Sequence, residues 1–211
     1  MFYVFARFLS WIILHVCCGY RVEGRAHEPA HGPFIVAANH ISYLDPPAVG
    51  AAFRRRLRFI AKDELFVLPV LGRMIRWLRA IPITLSQPAA VNRAVLKAAA
   101  HALQQGDVLG MFPEGGRQAT GRVEPAKLGI AFIALHAGVP IVPVAVRGTD
   151  TALPHGARWL RRGPITVRIG APIPVDRAMA GEGREAYERL AQHVTAAITQ
   201  LYEKQCVEDV A

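Results

Sequence analysis

Residues Asn39 to Asp45 read NHISYLD and follow an apolar run, FIVAA. A histidine and a carboxylate five positions apart at the end of a buried strand are the types a general base and its orienting partner require. A neutral imidazole removes the proton of an alcohol, and a carboxylate on its other nitrogen fixes the tautomer and stabilises the imidazolium as it forms. His40 and Asp45 are therefore the catalytic candidates. Asp45 also precedes Pro46 and Pro47, the pattern of a helix N-cap with proline in the first turn, and a carboxylate has enough acceptor sites to cap and to orient His40 at once. The plainer alternative is a capping aspartate beside a satisfied turn histidine, since 8 His and 16 acidic residues make a chance pair unremarkable.

A second polar cluster, FPEGGRQ at Phe112 to Gln118, follows the apolar run VLGM. Gly115 and Gly116 let the backbone approach a ligand closely, and Arg117 offers a planar fork suited to a phosphate. The alternative is a glycine turn with Glu114 and Arg117 in water. Lys127, just before the apolar run LGIAFIALHAG, reads either as a second phosphate contact or as a helix-start lysine.

The elements that must carry these groups alternate along the chain. FIVAA, RRRLRFIAK, IPIT, DVLGMF, VPIVPVAVRG and ITVRIG read as strands. A helix is predicted from Pro46 towards Phe53, with others at PVLGRMIRWLRA, PAAVNRAVLKAAAHALQQG, LGIAFIALHAG and GREAYERLAQHVTAAITQLYEKQ. That alternation predicts an α/β fold with a mixed, mainly parallel sheet flanked by helices. Ligands bind off the carboxyl ends of strands in such sheets, so NHISYLD and FPEGGR are expected on one rim.

The chain has 211 residues, 52% of them hydrophobic, a net charge of +9 and a pI near 10.1. One compact domain fits that length, and the charge calls for an anionic partner: nucleic acid, an anionic membrane or a phosphate-bearing substrate. Cys17, Cys18 and Cys206 form neither a disulfide framework nor a metal motif, and no metal is expected. From Phe2 to Cys18 the chain is apolar except for Arg7, Ser10 and His15. As a helix it would reach roughly 25 Å against a hydrocarbon core of ~30 Å. It reads as a helix lying in the interface with its apolar face down, or as a marginal single span; a core helix and a signal peptide are the remaining readings. The division expected is a membrane-associating helix at 1–19 and a catalytic domain at 20–211. RRRLR at Arg54 to Arg58 and RWLRR at Arg158 to Arg162 are interleaved with Trp and Leu and lack any nucleic-acid motif, so anionic headgroups rather than nucleic acid are the partner expected.

In order along the chain, NHISYLD, FPEGGR and VPIVPVAVRG are similar to the N-H-x-S-x-x-D, F-P-E-G-T-R and V-P-x-x-P-V blocks of the 1-acyl-sn-glycerol-3-phosphate acyltransferase family. The resemblance runs from about Tyr20 to Pro174 and includes KDELFVLPVLG and VRIGAPI. It implies a glycerolphosphate acyltransferase-like fold, without a cofactor. His40 would deprotonate the hydroxyl of a lysophospholipid acceptor, with Asp45 orienting it. The oxygen would then attack the thioester of acyl-CoA or acyl carrier protein directly, without a covalent acyl-enzyme. Asn39, Ser42, Glu114, Gly115, Arg117, Lys127 and Pro143 become the expected substrate-binding residues. Phosphatidic acid would be the product, at the cytoplasmic face of the membrane. Two departures bear on the acceptor. Leu85 and Ser86 stand where the family commonly has an arginine soon after IPI, and Gly116 replaces the usual hydroxyl residue; either Arg76, Arg79 or Arg93 substitutes in space, or the acceptor is another lyso- or hydroxylated lipid. A serine hydrolase is disfavoured because there is no G-x-S-x-G elbow and only Ser42 lies near His40. A non-catalytic lipid-binding module would leave His40 and Asp45 dispensable.

Overall fold

The computed structural model describes residues 2–84, 89–118, 122–157 and 159–208. Seven strands form one sheet in the order β1-β7-β6-β2-β5-β3-β4. They are β1 (Arg21–Glu23), β2 (Ile35–Ala38), β3 (Leu57–Lys62), β4 (Ile81–Ile83), β5 (Val108–Met111), β6 (Ile141–Arg147) and β7 (Thr166–Ile169). Every neighbouring pair is parallel except β6 with β7. The mainly parallel α/β sheet expected from the alternation is what the chain builds, and the carboxyl ends of β2, β3, β5 and β6 share one rim.

Both faces of the sheet are covered, which is why the central strands are continuously apolar. On one face Val36, Ala38, Val142, Val144 and Val146 pack with Leu14 and Cys18 of α1 (Phe2–Cys18) and with Ala48, Val49 and Ala52 of α2 (Asp45–Ala52). On the other, Ile35, Ala37, Leu109 and Ile141 meet α4 (Ala89–Gln104), α5 (Gly129–Ala137) and α7 (Arg184–Glu208). Two further helices, α3 (Leu71–Trp77) and α6 (Thr149–Ala152), complete the set, with short 3-10 turns at Arg25–His27, Asp63–Val67 and Arg177–Glu182. Phe34 and Phe53 are fully buried, with ring centroids 6.1 Å apart. Truncating either to Ala is expected to cost about 3–5 kcal/mol.

α1 turns Arg7 and Tyr3 towards the protein, while His15 stays exposed with its Nδ1 against the Trp11 carbonyl at 2.9 Å. The Arg7 guanidinium donates to the carbonyls of Phe53 (3.1 Å) and Arg54 (2.6 Å), and the Tyr3 hydroxyl accepts from the Leu57 N–H at 2.9 Å. Its outward side is Val4, Phe5, Phe8, Leu9, Trp11 and Val16, all exposed. No helix among the described residues is long and apolar enough to cross a membrane.

One expectation is corrected. The second helix begins at Asp45 itself, with Leu44 in the N-cap position, and the Asp45 side chain caps nothing in it. An N-cap carboxylate binds the N–H groups two and three residues on. Here those positions are Pro47, which has no N–H, and Ala48, whose N–H already donates to the Leu44 carbonyl at 2.9 Å. The carboxylate is left to turn back into the preceding loop. Leu85 and Ser86, and the side chains of Arg93 and Cys206, lie outside the described residues.

Candidate active site

Asp45 is completely buried and makes four hydrogen bonds. Its Oδ2 accepts from His40 Nδ1, the Ile41 N–H and the Ser42 N–H, each at 2.7 Å, and its Oδ1 accepts from the Thr149 hydroxyl at 2.5 Å. A carboxylate can only accept, so the proton of the His40–Asp45 bond sits on Nδ1, and Nε2 keeps its lone pair. His40 is 17% exposed, and its ring stacks on Phe112 with centroids 4.1 Å apart. Phe112 stacks in turn on Phe59 at 5.9 Å. Gly110 supplies the space for that ring, because a Cβ there would lie 2.6 Å from Phe59 Cε1. The imidazole is thus held at its edge by Asp45 and at its face by an aromatic pair.

The two strand-end loops meet at this ring. The Gln118 N–H donates to the His40 carbonyl at 2.8 Å, and the Arg117 guanidinium lies over the Tyr43 ring at 3.6 Å. Gly115 takes φ of +77°, a conformation glycine adopts without strain. The Lys127 ammonium lies 2.5 Å from where a Gly115 Cβ would project, so any side chain there displaces it, while the same point at Gly116 is open space. Arg117 and Lys127 therefore flank a bare glycine turn, an arrangement that accommodates an anion with backbone N–H groups and two cations.

Glu114 lies below that turn. It is 5% exposed and neither carboxyl oxygen makes a hydrogen bond. Burial is the main cause that pushes its pKa up to about 8. The backbone N–H groups of His40 and Glu124, near the carboxyl but short of hydrogen-bond geometry, pull the other way, and the charges of Asp45 and Glu124 add to the rise. At neutral pH the side chain is mainly a carboxylic acid, able to donate as well as accept.

The structure brings His40, Asp45, Glu114, Gly115, Arg117 and Lys127 to one rim. It uses Asn39, Ser42 and Pro143 elsewhere. The Asn39 amide donates to the Val146 carbonyl (2.9 Å) and accepts from its N–H (2.7 Å), latching the end of β2 to β6. Ser42 donates to the Leu153 carbonyl at 3.1 Å and accepts from the Leu44 N–H at 3.3 Å, the backbone-bonded turn role its position suggested. Pro143 is buried within β6, its ring against Gly170 on the side covered by α7, the face opposite Asp45. These three have no open polar face for a ligand. Thr149 and Phe112 are the supporting residues the motif reading did not single out. Phe112 heads its own motif, whereas Thr149 is 104 residues from Asp45 and carries no local signal. An open concavity of about 690 Å³ at the C-terminus of α1 contains none of these side chains. No cluster of metal-ligating residues occurs among the described residues.

A mainly parallel sheet thus carries a buried His–Asp pair and a cationic glycine turn on one carboxyl rim. The acyltransferase family model matches residues 19–147, and the chain belongs to that family. It is 32% identical over 154 residues, 72% of the chain, to the chloroplastic 1-acyl-sn-glycerol-3-phosphate acyltransferase BAT2 of Brassica napus, of which it covers 44%. It is 30% identical to the lyso-ornithine lipid O-acyltransferase of Pseudomonas aeruginosa, covering 92% of this chain and 81% of that one. The crystal structure of the 1-acyl-sn-glycerophosphate acyltransferase PlsC of Thermotoga maritima superposes with a TM-score of 0.79 at 27% identity, covering 96% of this chain and 79% of that one. The chain spans about half the length of the plant relatives it matches, 44% to 55%.

Proposed function

We propose that the chain is a membrane-associated O-acyltransferase that moves a fatty acyl group from acyl-CoA or acyl carrier protein to the free hydroxyl of a lysophospholipid. The observation that carries this reading is the buried Asp45 carboxylate on His40 Nδ1 at 2.7 Å, which leaves Nε2 as the only basic position on the ring. Nε2 takes the proton of the acceptor hydroxyl as the oxygen attacks the thioester carbonyl. The tetrahedral intermediate then collapses, the C–S bond breaks, and the imidazolium returns the proton to the departing thiolate. Asp45 stabilises the transient imidazolium, and the proton transfer by His40 contributes roughly a hundredfold to ten-thousandfold. Arg117, Lys127 and the Gly115 turn hold the acceptor's phosphate, and residues 1–19 keep the domain on the cytoplasmic face of the membrane, with Arg54–Arg58 over anionic headgroups.

The first acceptor is 1-acylglycerol 3-phosphate, giving phosphatidic acid. A second reading, another lyso-lipid acceptor, draws on two observations. Gly116 is bare where the family commonly has a hydroxyl, and the Pseudomonas aeruginosa relative, named for lyso-ornithine lipid, is matched over 92% of this chain. The experiment is mass analysis of the lipids made from palmitoyl-CoA by purified protein in anionic vesicles, offered lysophosphatidate or lyso-ornithine lipid. Phosphatidic acid is the expected product. Acylation of lyso-ornithine lipid alone would move the chain to the second reading, and thiol release with no acylated lipid would reject both for a thioesterase.

A further inference from the structure

The run Val67-Leu68-Pro69-Val70, which begins at the last residue of the 3-10 turn after β3, is exposed at all four positions. Val67 and Val70 are 81% and 82% exposed, and Met74 and Trp77 continue the same side of α3 at 39% and 62%. The spacing Val70, Met74, Trp77 is that of one helix stripe. Water-facing apolar side chains in such a contiguous row mark a surface that meets something else.

Three observations identify what it meets. The patch is continuous with the outward apolar side of α1, because the Phe2 and Trp77 rings pack edge to face with centroids 4.7 Å apart. The segment that carries it is more basic than acidic: from Lys62 to Arg79 the chain has Lys62, Arg73, Arg76 and Arg79, all exposed, against Asp63 and Glu64, and Asp63 is engaged by the Thr84 hydroxyl at 2.6 Å. Finally, β3 runs parallel to β5, so the segment leaving β3 emerges on the rim that carries Phe112 and His40. An apolar row beside arginines suits the boundary between acyl chains and anionic headgroups.

We propose that Val67–Trp77 is a second membrane-inserting element, which docks together with α1 onto an anionic bilayer and sets the His40 rim at the level of the lipid headgroups. The proposal rests on the membrane-associated reading of the protein. It adds that α1 alone is not the docking face: a two-element contact fixes the tilt of the sheet, and with it the height of the catalytic rim, which a single helix free to roll would not fix.

Three tryptophans, Trp11, Trp77 and Trp159, make the test direct. Two single-tryptophan proteins are compared, one keeping Trp77 and one keeping Trp11, the others changed to Phe, on phosphatidylcholine–phosphatidylglycerol vesicles with brominated acyl chains. Quenching of both residues is the expected result. Quenching of Trp11 without Trp77 would overturn the inference and leave membrane association standing, and quenching of neither would reject both. A Trp77 signal that responds to acidic acyl carrier protein and not to vesicles would assign the face to a protein and also overturn it. Because Val67 and Val70 are surface residues, Val67→Ser with Val70→Ser keeps the fold. It should weaken vesicle binding by about tenfold or more, with acyl transfer to detergent-dispersed substrate unchanged. Unaltered vesicle affinity would contradict the proposal.

Discussion

The two loops that meet at His40 are completed to different degrees. In the loop after β2 every buried polar side chain is engaged: Asn39 with Val146, Ser42 with Leu153 and Leu44, and Asp45 with four donors. In the loop after β5 the Glu114 carboxyl has no hydrogen bond, Arg117 rests on a tyrosine ring, and Lys127 leans over a glycine. Buried polar groups are ordinarily paired, so the first loop is preorganised without substrate, and the second is arranged for a partner that the substrate supplies. The division matches the two tasks of the reaction. A base must be held rigid, whereas a site for a phosphate and its glycerol needs free donors.

If that division is right, damage to the first loop should act on turnover and stability together, and damage to the second should act on the acceptor. The largest effect is expected from Asp45→Ala, which strips four donors of their acceptor, two of them N–H groups held in the buried turn. Activity should fall by about a hundredfold or more, and urea unfolding should show a loss of about 3 kcal/mol or more. Arg117→Ala comes next. It should raise the KM for a phosphate-bearing acceptor by about tenfold to a hundredfold with little change in kcat, and leave the thioester's KM alone. A fall in kcat of the same size would mean that Arg117 belongs with the rigid half.

Thr149→Val is nearly isosteric and removes only the donor to Asp45 Oδ1. A stability loss of about 1–2 kcal/mol and a several-fold drop in kcat are expected, both restored by Thr149→Ser. The smallest change is expected from Glu114→Gln, and it is read in the pH dependence of Tm. The folded protein keeps the Glu114 proton to about pH 8, whereas the unfolded chain loses it near 4.5. Folding therefore takes up a proton across that window, and the Glu114 contribution makes stability fall as pH rises through it. The amide variant should flatten that slope, and a slope that survives would place the unpaired carboxyl's protonation elsewhere.

How much of this was legible follows the distance between partners. The His40–Asp45 pair lies within one seven-residue stretch, and a strand-to-helix turn of that length brings its ends together. The rim shared by NHISYLD and FPEGGR followed from the alternation of strands and helices, since parallel strands with helical crossovers all end on the same side. What was not legible is what tertiary contact supplies: Thr149 reaching Asp45 from the end of β6, Asn39 spending both ends of its amide on Val146, and the ring of Phe59 resting on Gly110. The N-cap reading of Asp45 failed on one detail that the sequence does contain, the missing N–H of Pro47, because a Pro-Pro pair satisfies the helix-start pattern while removing a donor that a cap would use. On α1 the polar residues were visible as one side of a helix, but not that Arg7 would spend its donors on the carbonyls of Phe53 and Arg54.

The measurement that bears most directly on the account is thiol release from palmitoyl-CoA in anionic vesicles, with and without lysophosphatidate, for the wild type and His40→Ala. Release that requires the acceptor and falls by about a thousandfold or more in a His40→Ala protein that still unfolds cooperatively is the predicted result. Acceptor-dependent release that survives in a folded His40→Ala protein would contradict the assignment of His40 as the base.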